Sequence, residues 1–185
     1  MNYNPYIPFK VKVSLVSVIM AFFLNNQSYS VEKVSEEKCS PVYTLEETLM
    51  NKEEVIANCS YVIDISLEKH SLSFYHKGML LAEGVISSPR VRGDKIMKRD
   101  GKTKYGIFRL NQFEKRNPKI FGYGFIRIDM SYLGFYGFGL HGTQDIQHLG
   151  YDISKGCIRT ENKIIEHIFK ETEDKLKDTL IIIKP

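Results

Sequence analysis

Three runs, YVIDIS (61–66), HSLSFYH (70–76) and MLLAEGVIS (79–87), follow one another almost without interruption, and their reading decides the fold. Each is rich in β-branched and aromatic residues. Apolar and polar positions alternate with a period near two, as where Leu72 and Phe74 sit between Ser71, Ser73 and the runs that flank them. That is the period of a strand, whose successive side chains point to opposite faces. Lys77-Gly78 separates the second run from the third and reads as a tight turn. The segment is expected to form a β-meander.

Outward from the meander the chain keeps this character. GIFRLNQF (106–113), the material around 121–130, FYGFGLH (135–141) and TLIIIK (179–184) read as further strands. Glycines at 122, 124, 134, 137 and 139 interleave with aromatics, as in bulged or closely packed strands. Two stretches change to helical spacing. Thr44 and Glu47 make a capping box ahead of Leu45, Leu49, Val55 and Ile56, which predicts a short helix over 45–57. Ile164, Ile165, Ile168 and Phe169 form one apolar helical face after Thr160 or Asn162 as cap. The fold class expected is mainly β, a β-sandwich or mixed sheet, with two short helices.

At 185 residues, 43% hydrophobic and 26% charged, the chain can bury one core without metals or many disulfides. The first thirty residues carry no acid. Lys10 and Lys12 precede an apolar run, Val13 to Leu24, and Ser28 and Ser30 put small residues at the −3 and −1 positions of a cleavage site after Ser30. Twelve residues span about 18 Å as a helix, short of a bilayer core, so the layout is that of a secretory signal peptide rather than an anchor. Residues before Cys39 do not form a lipobox. The organisation expected is a signal peptide over 1–30, an arm and short helix over 31–57, and one mainly β domain over 58–185, in the periplasm or cell envelope. The membrane is then met only during export.

Removing Lys10 and Lys12 from the 26 basic residues leaves 24 against 22 acidic ones, too even a balance for a nucleic-acid partner. Seven basic residues (Arg90, Arg92, Lys95, Lys98, Arg99, Lys102 and Lys104) cluster in a loop over 89–105. Such a run is either a solvated loop or a surface that attracts carboxylates. Of the three cysteines, Cys39 and Cys59 are near neighbours able to bridge in an oxidising compartment, which spares Cys157. A spared thiol is either an inert core residue or a reactive one.

HGTQDIQHLGYDISKGCIR (141–159) holds the residues a reactive reading needs, although a Cys and a His in one segment leave both readings open. His141 ends a strand pattern, and Cys157 lies between Gly156 and Ile158-Arg159. A cysteine nucleophile needs a base within hydrogen-bond reach and donors for the oxyanion that forms when it attacks a carbonyl. His141 is the candidate base. The backbone N–H groups of Gly156 and Cys157 are expected to be open to a substrate oxygen, and Arg159 to favour thiolate or bind a carboxylate. His70 and His76 read as surface strand positions, His167 as the polar side of the last helix, and His148 as a solvated loop residue.

The pair HGT…SKGCIR resembles the signature of the YkuD-type L,D-transpeptidases, His-Gly-Thr, a spacer, then Ser/Thr-His-Gly-Cys-x-Arg/Asn. YVIDISLEKHSLSFYHKGMLLAEGVIS resembles that domain's opening strands, and Thr103-Lys104-Tyr105-Gly106-Ile107-Phe108 resembles its Thr-Pro-x-Gly-x-Phe element. The likeness covers about residues 61–184. Two positions depart from the pattern: Lys155 stands where most members have histidine, and Lys104 where they have proline.

The resemblance implies an exported cysteine acyltransferase acting on peptidoglycan stem tetrapeptides. Cys157 attacks the carbonyl before D-Ala, D-Ala leaves, and an amine of a neighbouring stem resolves the thioester into a 3→3 cross-link. His141 moves the protons, oriented by a backbone carbonyl at Gly142 or nearby. Gly156, Arg159, Ser154 and Gly142 form the oxyanion and substrate-binding set. Carbapenem-type β-lactams are the inhibitors implied, with no cofactor and no metal. Water as acceptor would make a carboxypeptidase, and another partner could be joined to or released from the wall by the same thioester. A sortase-like enzyme is disfavoured because Arg159 follows Cys157 by only two positions, and a non-catalytic wall-binding module because His141, Gly156, Cys157 and Arg159 are intact.

Overall fold

The computed structural model describes Cys39 and residues 44–185. The expected signal peptide and most of the arm lie outside the described residues.

Helix α1 (Leu45–Asn58) opens with the capping box foreseen from sequence. The Glu47 N–H donates to Thr44 Oγ1 at 3.1 Å, and the Glu47 carboxylate accepts from the Thr44 N–H at 3.2 Å. Two of the four N–H groups that a helix start leaves unpaired are thereby satisfied. The meander follows as β1 (Tyr61–Ser66), β2 (Ser71–His76) and β3 (Met79–Pro89), paired antiparallel in sequence. Lys77 (φ 47°) and Gly78 (φ 80°) make the two-residue turn between β2 and β3.

The remaining elements are β4 (Gly106–Glu114), a one-turn helix α2 (Pro118–Phe121), β5 (Phe125–Asp129), β6 (Gly139–Thr143), β7 (Asp152–Ser154), β8 (Ile158–Glu161), α3 (Asn162–Thr172) and β9 (Leu180–Lys184). The sheet order is β2-β1-β9-β4-β5-β6-β8-β3-β7, and β3 also pairs with β2, so the pairings close on themselves through the long strand β3. Most pairs are antiparallel; β1–β9, β6–β8 and β3–β7 are parallel. The fold is thus mainly β with a mixed sheet. Beyond the two helices expected, it has the short α2, because Pro118 pre-sets the first turn and Asn117 Oδ1 caps the Lys119 N–H at 3.0 Å.

Strand β9 reads LIIIK because both its faces are covered. Ile181 and Ile183 enter the main core with Ile63, Ile65, Phe74, Phe108 and Ile126. Leu180 and Ile182 pack under α1 with Val55, Ile56 and Val62. Helix α3 buries Ile164, Ile165 and Ile168 against the main core, each worth roughly 1.5–3 kcal/mol relative to exposure. Asp64, in the buried strand β1, is held by Lys184 Nζ at 2.6 Å and Lys52 Nζ at 3.2 Å, as a buried charge requires. Cys39 and Cys59 are joined by a disulfide, and Cys157 is free.

Two local expectations are corrected. The strand expected over 135–141 lies at 139–143, since residues 135–137 leave the ladder, and Phe135, Tyr136 and Phe138 line a cleft. Neither Thr160 nor Asn162 caps α3, whose N-cap is Glu161 without a side-chain bond. Asn162 Oδ1 instead accepts the Tyr123 N–H at 2.7 Å, and the Thr160 hydroxyl donates to the Val85 carbonyl.

Candidate active site

Strands β6 and β8 run side by side and parallel, with Leu140 opposite Ile158 and His141 opposite Arg159. Leu140 and Ile158 are fully buried in the main core. Because side chains alternate, His141, Arg159 and Cys157 project from the other face of the sheet. Cys157 immediately precedes β8, one strand across and two residues along from His141. Residues far apart in sequence are thus brought onto neighbouring strands because two parallel strands share a register.

His141 is 3% exposed. Phe121 meets its ring edge-on at 5.0 Å between centroids, and Phe125 stacks on it at 5.9 Å. Nδ1 lies 2.7 Å from the Gly142 carbonyl oxygen. A carbonyl can only accept, so Nδ1 carries the proton and Nε2 keeps its lone pair. Burial pushes the imidazole down to about 4; the Gly142 carbonyl opposes that, and the charges of Arg159 and Arg116 add to it. The ring is therefore neutral at pH 7 and able to take a proton. Gly142 is required by packing, since a Cβ there would lie 2.2 Å from Asn162 Oδ1.

Burial also pushes the Cys157 thiol up, against a backbone hydrogen bond from Gly139 and the charges of Arg116 and Arg159. The thiol donates to the Gly137 carbonyl, with sulfur and oxygen 3.7 Å apart. The resting pair is thus a thiol and a neutral imidazole, not a preformed ion pair.

The turn carrying the cysteine is fixed from two sides. Thr103 donates to the Gly156 carbonyl at 2.7 Å in a buried bond. Ser154 Oγ accepts the Gly156 N–H at 3.2 Å. The expectation that the Gly156 N–H stands open is therefore corrected, since the Ser154 hydroxyl occupies it. Gly156 has φ +121°, and a Cβ there would lie 2.9 Å from the Phe138 ring, so no other residue fits without strain. Lys104, in place of the family's proline, reaches Asp94, whose other oxygen accepts the Tyr105 N–H at 2.8 Å. That ion pair anchors the segment by another means.

Cys157 opens on a cleft of about 380 Å³ lined by Phe135, Tyr136, Phe138 and four cationic residues, Lys95, Lys98, Arg99 and Lys155. Of the loop's seven cations, three reach this cleft. Lys95 is 2% exposed and bonds Asp100 at 2.6 Å while its ammonium lies over the Phe138 ring at 4.7 Å. Burial alone would raise the Asp100 carboxyl, but Lys95 and the N–H groups of Lys102, Ile96 and Met97 hold it well below the ordinary carboxylate range.

Arg116 is a site residue that sequence reasoning missed. Its guanidinium lies 3.8 Å over the Phe125 ring and bonds Glu114 at 2.6 Å through Nε. Glu114 is shared with Arg127, which keeps its carboxyl ionised despite burial. No motif marks Arg116; only the return of β5 beneath it brings it to His141. Arg159 Nε is buried and, among the described residues, unpartnered, a donor left over on the face that carries Cys157.

The remaining histidines lie elsewhere. His70 is not a free surface position: Nε2 lies 2.9 Å from Asp152, which also pairs with Arg92. His76 stacks on Tyr61, and His167 meets Phe74 edge-on. His148 pairs with Asp145 at 2.6 Å, half exposed.

Comparison with known proteins places these features in context. The sequence profile of YkuD, the L,D-transpeptidase catalytic domain, matches residues 60–183. No curated protein sequence matches the chain. Among solved structures, the helical cell shape determining protein Pgp2 from Campylobacter jejuni aligns with TM-score 0.56 at 17% identity, covering 77% of this chain and 56% of that one. Bd1075 from Bdellovibrio bacteriovorus aligns with TM-score 0.51 at 22% identity over 69% of this chain and 48% of that one. An Enterococcus faecium L,D-transpeptidase aligns with TM-score 0.50 at 19% identity over 67% and 49%. The chain spans about half the length of each, and at these identities the likeness is one of fold.

Proposed function

The chain belongs to the YkuD family of L,D-transpeptidase catalytic domains, and from that premise we propose that it is an exported acyltransferase of the cell wall with Cys157 as nucleophile. The observation that carries this reading is the free thiol of Cys157 at the mouth of a cleft, on the same sheet face as a buried, neutral His141.

The stem tetrapeptide lies in the cleft with the carbonyl before D-Ala against Cys157. His141 Nε2 takes the thiol proton as sulfur attacks, because the thiol is protonated at rest and the imidazole is not. The Sγ–C bond forms and the tetrahedral oxyanion develops. The Cys157 N–H and the guanidinium of Arg159 are the donors assigned to it in this reading, the Gly156 N–H being engaged by Ser154. As the intermediate collapses, the C–N bond to D-Ala breaks, and the imidazolium returns its proton to the departing amine. The thioester is resolved by an amine of a second stem, whose proton passes to His141. The Gly142 carbonyl holds the ring in one tautomer throughout. Carbapenem-type β-lactams enter as acylating inhibitors of the same thiol.

Export is part of the proposal. It is supported by the leader pattern over 1–30 and by the Cys39–Cys59 disulfide, a bond that persists in oxidising compartments. N-terminal sequencing of envelope protein is expected to start near Val31, and protein still beginning at Met1 would contradict this.

Incubation of purified protein with disaccharide-tetrapeptide, read by mass spectrometry, tests the reaction. A cross-linked dimer lacking one D-Ala is expected. Tripeptide alone would assign water as the acceptor, and no product would overturn the transferase reading.

A further inference from the structure

The cleft beside Cys157 carries more positive charge than acyl transfer calls for, and the charge arrives from two unconnected segments. Lys98 and Arg99 come from the loop after β3, and Lys155 from the turn just before the cysteine. All three are exposed, and among the described residues none has a hydrogen-bond or ion-pair partner. No Asp or Glu lines the cleft.

The loop that presents two of them is built, not slack. One carboxylate, Asp100, gathers the N–H groups of Ile96 at 3.0 Å, Met97 at 3.2 Å and Lys102 at 3.0 Å together with the ammonium of Lys95. Lys95 is thereby neutralised and sealed against Phe135 and Phe138, whereas Lys98 and Arg99 stand unpaired at the tip. Arg99 is held at φ +61°, a conformation that costs a residue with a side chain about 1 kcal/mol or more. Unpaired like charges gathered on a fixed scaffold repel one another and gain only when an anion sits between them.

We infer that Lys98, Arg99 and Lys155 form an anion-binding rim that makes the cleft select stem peptides whose side-chain carboxylates are free over stems in which they are amidated. The inference rests on the reading above that stem peptides are the substrate. Amidation removes the negative charge while leaving size and shape nearly unchanged, so discrimination falls on the charged contacts alone. Phe135, Tyr136 and Phe138 line the same cleft beside the rim and offer apolar surface to the rest of the peptide.

Calorimetric titration of the full chain as Cys157→Ala, which cannot turn substrate over, with a free-carboxylate tetrapeptide and its amidated counterpart tests this. Three partly exposed charge contacts predict about tenfold tighter binding of the free form, with the preference falling as salt rises. In the added triple variant K98Q/R99Q/K155Q the preference should shrink to within about twofold. The variant K98R/K155R, which keeps every charge, should retain it, which a merely structural role of the lysines would not predict. Equal affinity for the two stems, no measurable binding of either, or a preference that survives in the triple variant overturns the inference. Turnover by the wild-type chain is measured separately: a preserved binding preference without turnover supports the rim and overturns the transferase reading.

Discussion

His141 makes the stability of this domain depend on pH in a window where carboxylates do not. Burial lowers its imidazole from the ordinary value of about 6.5 to about 4. Between those two values the unfolded chain binds a proton that the folded chain refuses, so stability rises with pH across the window and is lost as pH falls through it. From pH 7 to pH 4.5 the loss from this one group is about 2.5 kcal/mol. The carboxyl groups of Asp100, Glu114 and Asp152 are held low in the fold, so their share is lost as pH falls below the ordinary carboxylate values and is common to the wild type and the His141 variant. Urea unfolding at pH 4.5 and pH 7 is therefore compared between the wild type and His141→Gln, a side chain that does not titrate. The wild type should lose about 2–3 kcal/mol more than the variant over this interval. Equal losses would mean that His141 is not a buried neutral imidazole, and the thiol-plus-imidazole resting state would fall with it.

Thr103→Val keeps the shape of the side chain but leaves the buried Gly156 carbonyl without its donor; a loss of about 1–3 kcal/mol in chemical denaturation is expected, with slower acylation of Cys157, whereas Thr103→Ser restores acylation. Arg116→Gln removes a charge that lowers both His141 and Cys157, so the low-pH inflection of the acylation rate should move upward; an unchanged profile would remove Arg116 from the site. Cys39→Ser opens a loop closed across a sequence separation of 20 and should cost roughly 3 kcal/mol of stability in the chain-entropy account, with acylation of Cys157 retained. Thiol titration of unreduced, unfolded protein should find one thiol, and three would contradict the pairing.

What the sequence disclosed and what it hid follow from how local each cause is. The meander was legible because the alternation of β2 and the Lys77-Gly78 turn act over a few residues. The capping box of α1 is likewise contained within Thr44–Glu47. FYGFGLH misled because an aromatic run among glycines fits a strand and a cleft wall equally well; packing against Lys95 decides for the wall. His141 and Cys157 could be named through a family motif, yet their placement on neighbouring strands depends on the parallel register of β6 and β8, which no local pattern encodes. Arg116 was invisible because its position is set by Phe125 and Glu114 on two different strands. The Gly156 N–H looked open because a sequence does not tell which hydroxyl will fold back onto a turn. The basic loop was noticed, but that only part of it faces Cys157 is a consequence of Asp100 tying its tip.

The central claim, that Cys157 is the acyl-carrying nucleophile, is tested most directly by intact mass after exposure of the purified chain to meropenem. The wild type should gain one adduct of the drug's mass, mapped after digestion to the peptide that holds Cys157, and Cys157→Ala should gain none. His141→Ala should form the same adduct about 10²–10⁴-fold more slowly, the usual share of a general base. An unmodified wild type, or an adduct that persists on Cys157→Ala, would contradict the account.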